Sequence, residues 1–67
     1  MKNHEKLFFV RKCMGLSQRE FCFVFGFNLS TYKQWEQNRS NFPVWLIPLL
    51  VHAVRDLGYF VPLSLTL

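Results

Sequence analysis

At 67 residues the chain has room for one domain, and a domain this small buries only about 60% of the surface its unfolded chain exposes. Hydrophobic residues make up 51% of it and eight are Phe, more apolar material than so short a chain readily hides, so part of it is expected in an interface between subunits. The net charge is +4 with dispersed cations, which favours an anionic partner; the four acids, two isolated histidines and two cysteines offer no paired carboxylates, activated nucleophile or phosphate-cradling glycine loop, so no catalysis is expected.

The first helix is expected over 4–14. Leu7, Val10 and Met14 fall at i, i+3 and i+7 and form its inner stripe, Lys6 and Lys12 point outwards, and Gly15 ends it. Phe8 and Phe9 cannot both join that stripe, so at least one is a flank contact or part of an oligomer surface. Ser17 and Glu20 then make a capping box, in which each side chain satisfies an orphan backbone N–H at a helix start. Leu16, just before the cap, pairs with Phe21 as a hydrophobic staple. Phe21, Cys22 and Phe25 supply the apolar face of this second helix, and Gly26 stops it.

Asn28 caps a third helix, Leu29 to Gln37, with Tyr32 and Trp35 inward, three apart. Two short helices joined by a three-residue glycine-containing turn are the helix-turn-helix pattern. The polar run from Gln37 to Asn41 suits phosphate oxygens. Pro43 fits a helix start, and Val44, Trp45 and Ile47 form a short apolar turn. At Pro48 the chain is expected to bend or begin a helix that continues through Leu57 to a stop at Gly58, with Leu46, Leu49, Leu50 and Ala53 closing the core. Residues 1–58 thus form the domain, and 59–67 an apolar tail. Alternation at Leu63, Leu65 and Leu67 predicts an extended tail that either joins a second subunit or covers its own core.

Cys13 and Cys22 match neither a zinc nor a redox spacing and are expected as reduced thiols facing the core. His4 and His52 lack partners at metal or triad spacing, so neither a metal nor another cofactor is expected. The apolar run from Phe42 to Val54 is shorter than the roughly 20 residues that span a bilayer. With no leader pattern in the first residues, the expected compartment is cytoplasmic, with no membrane partner.

Arg11, Gly15-Leu16-Ser17-Gln18, Glu20-Phe21, Gly26-Phe27-Asn28, Thr31, Trp35-Glu36, Arg39 and Pro43 together resemble the helix-turn-helix domain of the phage lambda Cro and repressor class, the XRE family, over residues 4–57. The resemblance implies an all-α fold of four or five helices and a homodimer on an inverted-repeat operator in double-stranded DNA. Its third helix would lie in the major groove. It assigns Leu29, Ser30, Lys33 and Gln34 to base edges. Gln34 is the best placed, because a carboxamide pairs bidentately with adenine. Phosphate contacts fall to Gln18, which also braces the third helix, and to Asn28, Thr31, Asn38, Arg39, Ser40 and Asn41. Arg11 and Glu36 match a structural ion pair tying the first helix to the end of the third. Asn38 stands where the family often has Gly, and tolerates a left-handed conformation.

The function implied is a sequence-specific transcriptional regulator, a repressor acting through concentration and dimerisation with no small-molecule ligand. A phage or mobile-element operon is the implied setting, including the small regulators that sit beside anti-CRISPR genes. The alternative is a protein-interaction module, antitoxin-like or inhibitory, that keeps the fold and binds through its apolar surface. Tyr32 and Trp35 are assigned to the core rather than to base stacking.

Overall fold

Four helices carry the chain: α1 (Asn3–Met14), α2 (Gln18–Phe25), α3 (Leu29–Glu36) and α4 (Leu46–Asp56), followed by a 3-10 helix at Leu63–Thr66. The computed structural model describes residues 1–66, and among these no segment is a strand. Of the all-α fold of four or five helices that was expected, the four-helix form is what the described residues make.

Its boundaries follow from local chemistry. Ser17 Oγ accepts the Glu20 amide at 3.1 Å while the Glu20 carboxylate accepts the Ser17 amide at 2.9 Å, so two otherwise orphaned donors are satisfied at the start of α2. Asn28 Oδ1 accepts the Thr31 amide at 3.1 Å and starts α3. Gly26, at φ +76°, ends α2 in a conformation that a Cβ would strain. Asn38 does the same after α3 at φ +59°, with its N–H on the Trp35 carbonyl and the Arg39 N–H on the Gln34 carbonyl. This is the Schellman arrangement, closed by Asn in place of Gly.

α1 packs on α3 and α4, and α2 on α3. The inner stripe of α1 is Leu7, Val10 and Met14, all buried, joined by Arg11. Phe21 and Tyr32 are fully buried, and around them runs an aromatic cluster. Phe21 meets Phe25 at 4.8 Å and Tyr32 at 5.3 Å between ring centres, and Phe27 stacks on Tyr32 and sets its edge to Trp35. Trp35 passes the contact on to Phe42 at 5.8 Å. Such pairs add roughly 0.5–1.5 kcal/mol each beyond the area they bury. Leu16 and Phe21 both belong to this core.

Two expectations are corrected. α4 begins at Leu46 and does not wait for Pro48, which occupies the third helical position, where no intrahelical partner exists for an N–H; proline costs nothing there. The buried face of α4 is Ile47, Leu50, Val51 and Val54, one position on from the stripe expected, and Leu49 is 57% exposed. The run Leu46-Ile47-Pro48-Leu49-Leu50-Val51 is apolar at every position, so periodicity could not choose between neighbouring stripes.

The tail is the second correction. Residues 59–62 have no regular structure, and 63–66 wind into the 3-10 helix, so the alternation does not produce a strand. Val61 and Leu65 are buried in the core and Pro62 is half-buried, while Arg55 donates from a terminal guanidinium nitrogen to the Val61 carbonyl at 2.6 Å. Val61 and Leu65 thus cover the chain's own core, while Phe60 stays exposed. Leu67 lies outside the described residues.

Candidate nucleic-acid interface

α3 is divided by its own periodicity. Tyr32 is buried, Leu29, Trp35 and Glu36 are half-buried, and Ser30, Lys33 and Gln34 are exposed at i, i+3 and i+4, a row that the C-cap residue Gln37 continues at i+7. The helix therefore presents one continuous polar stripe to solvent while its other face is fixed in the core. Thr31 is also exposed, beside the stripe.

That face is held rigid from behind. Arg11 is 7% exposed and lies against Glu36, its Nε on Oε2 at 2.8 Å and a terminal nitrogen on Oε1 at 3.1 Å. Its other terminal nitrogen donates to the Leu16 carbonyl at 2.8 Å, which ties α1 to both ends of the unit that carries α2 and α3. Gln18 Nε2 donates to Glu36 Oε1 at 3.1 Å and adds a brace from α2 to α3. Burial works to raise the Glu36 pKa, but the hydrogen bonds from Arg11 and Gln18, with the Tyr32 hydroxyl close by, outweigh it and hold the carboxyl below its ordinary range. The hydrogen bond to Glu36 in turn raises the Arg11 pKa. The Tyr32 hydroxyl is buried beside this pair without a well-formed hydrogen bond among the described residues; burial, and then the Glu36 carboxylate, keep it protonated.

The placement of the expected site residues is now specific. Ser30, Lys33 and Gln34 share the exposed stripe of α3. Leu29, assigned to a base edge, instead spends much of its side chain against the core. Asn28 lies at the start of α3 with its side-chain oxygen committed to the cap, so its amide nitrogen is what remains for a phosphate. Gln18 likewise has one group committed, to Glu36. Asn38, Arg39 and Asn41 are exposed and Ser40 half-buried in the loop that the Asn38 turn aims away from α3. Gln37, counted with the polar run that suits phosphate oxygens but given no base contact, is the C-cap of α3 and continues its exposed row, seven from Ser30 and three from Gln34.

The charge is one-sided. Between Asn28 and Asn41 the only acid is Glu36, which is turned inward and neutralised by Arg11, leaving Lys33 and Arg39 exposed. A rigid helix with amide, hydroxyl and ammonium groups at helical spacing, and no exposed carboxylate, is able to hydrogen-bond base edges and phosphates together. Among the described residues no group of three His, Cys, Asp or Glu side chains could hold a metal ion, and no helix is long and apolar enough to cross a membrane. Both cysteines are free thiols whose pKa values burial raises. No family model, curated protein or solved structure matches the chain.

Proposed function

We propose that the chain is a sequence-specific DNA-binding transcriptional regulator, a repressor that docks as a homodimer on an inverted-repeat operator with α3 in the major groove. The observation that carries this is the exposed stripe of Ser30, Lys33, Gln34 and Gln37, backed by the buried Arg11–Glu36–Gln18 network. An α-helix fits the major groove, and side chains held from behind lose little freedom on meeting base edges. Gln34 reads adenine, Lys33 a guanine or a phosphate, and the loop of Asn38 to Asn41 the backbone. Two half-sites lie about 34–36 Å apart, one helical turn of DNA. Apolar area for the second subunit is supplied by side chains that this fold leaves open, among them Trp45, Leu57 and Phe60, at 61%, 58% and 80% exposed.

A second reading draws on one observation, Phe23 at 88% exposed with Val24 beside it on α2. An aromatic side chain left so open suits a protein partner. Salt separates the two. Binding to duplex DNA weakens steeply as salt rises because phosphate contacts release counterions, whereas an apolar protein interface is nearly indifferent. A complex with operator DNA that kept its affinity from ~50 to ~200 mM salt contradicts the DNA reading.

A further inference from the structure

Beyond the recognition helix, a groove of about 200 Å³ opens between the first turn of α1 and the loop that leaves α3. Lys2, Asn3, His4, Asn38, Ser40 and Asn41 line it over an apolar side formed by Phe42 and Val44, and none of these is an acid. The nearest carboxylate on α1, that of Glu5, is occupied by the Lys2 backbone N–H at 2.8 Å. Among the described residues the side chains of Asn3, Asn38, Ser40 and Asn41 donate no hydrogen bond, and the Lys2 ammonium forms no ion pair. The loop side of the groove is preset by the left-handed Asn38, whose amide and that of Arg39 are anchored on α3 carbonyls. A groove whose polar lining is amides, a hydroxyl and an ammonium, with the Glu5 carboxylate outside that lining and bound to a backbone N–H, suits a tetrahedral oxyanion.

We propose that this groove seats a phosphate of the DNA backbone beyond the bases read by α3, with the Lys2 ammonium as its charge partner and Asn38, Ser40 and Asn41 as neutral donors. The inference rests on the DNA-binding reading and extends its footprint to the start of α1, a segment with no assigned role in docking. The contact is made to the backbone, so it strengthens binding to every sequence alike and shifts no base preference.

Two measurements on the full chain test it. In a titration with inorganic phosphate at constant ionic strength, the backbone amides of Lys2–His4 and Asn38–Asn41 shift together in NMR spectra, and acetate does not reproduce the effect. Shifts scattered over Lys12 and Arg19, or the same shifts with acetate, overturn the groove. In duplex binding, Lys2→Gln removes one phosphate contact from each subunit of the dimer and makes the slope of log K against log salt shallower by about 1.8, which corresponds to about a sixtyfold loss at ~0.1 M salt, equal on all duplexes. Lys12→Gln, exposed on α1 outside the groove, leaves the slope unchanged. Wild-type protein that binds duplex while Lys2→Gln keeps its slope, or Lys12→Gln losing as much, overturns the groove and leaves the recognition helix standing. Wild-type protein that binds no duplex overturns the DNA reading and the groove with it.

Discussion

Replacing Glu36 by Ala strikes the network on which the geometry of α3 depends. The substitution removes both Arg11 bonds to the carboxylate, at 2.8 and 3.1 Å, and the Gln18 bond at 3.1 Å. Arg11 is left with the Leu16 carbonyl as its one acceptor in a residue only 7% exposed. Breaking a buried pair from one side costs about 3–5 kcal/mol, because a desolvated charge is stranded. For a chain of this length the whole stability is roughly 3–10 kcal/mol, so the single variant stands near or below its folding threshold. Removing both charges, Arg11→Met with Glu36→Leu, strands no charge, leaves only the neutral Leu16 carbonyl and Gln18 amide without those partners, and returns stability to within roughly 2 kcal/mol of wild type. Urea unfolding followed by tryptophan fluorescence, to which both Trp35 and Trp45 contribute, reports both variants. A cost under about 1 kcal/mol for Glu36→Ala, or a double variant as unstable as the single, refutes the claim that the pair is buried and coupled. The pH dependence supplies a second check. The Glu36 pKa is depressed in the folded state, so its contribution is present above the ordinary value of 4.5 and is lost as pH falls through the lower folded value. That acid limb shrinks in the double variant.

Neighbouring leucines report the phase of α4: Leu50→Ala costs about 2–5 kcal/mol and Leu49→Ala within about 0.5, measured by thermal or urea unfolding, and equal costs contradict the buried face described. Truncation after Gly58 removes buried Val61 and Leu65, worth roughly 1.5–3 kcal/mol each, so the shortened chain loses most of its helical circular dichroism. Asn38→Gly relieves the left-handed strain and raises the unfolding midpoint, whereas Asn38→Ala lowers stability by about 1–2 kcal/mol.

How far the fold was legible depended on how local its determinants were. The capping box at Ser17 and Glu20, the Asn28 cap and the left-handed turn at Gly26 involve residues within a few positions of one another and stood in the sequence, while the turn at Asn38 was read through the family resemblance. The stripe of α1 was legible because polar residues interrupt it. In α4 they do not until His52, and the buried face came out one position away from the reading. The tail failed for a related reason. Alternating leucines look the same whether they will pair as a strand or place one side chain, Leu65, into a core already present. Only the packing of Val61 and the Arg55 bond to its carbonyl decides that. At the candidate interface, the Arg11–Glu36 pair, 25 residues apart, was anticipated through family resemblance alone. The groove at Lys2 and Asn41 had no sequence signal, since it exists only where the start of α1 meets the loop after α3.

The central claim is that the exposed stripe of α3 reads bases while the loop beyond it holds the backbone. It is tested most directly by selecting bound sites from random duplex DNA with wild type, Gln34→Ala and Arg39→Ala. The account predicts an inverted repeat for wild type, a loss of about 1–3 kcal/mol with relaxed preference at one position per half-site for Gln34→Ala, and a loss spread evenly over all sequences for Arg39→Ala. Selection of no common site by wild type, or an unaltered preference in Gln34→Ala, contradicts it.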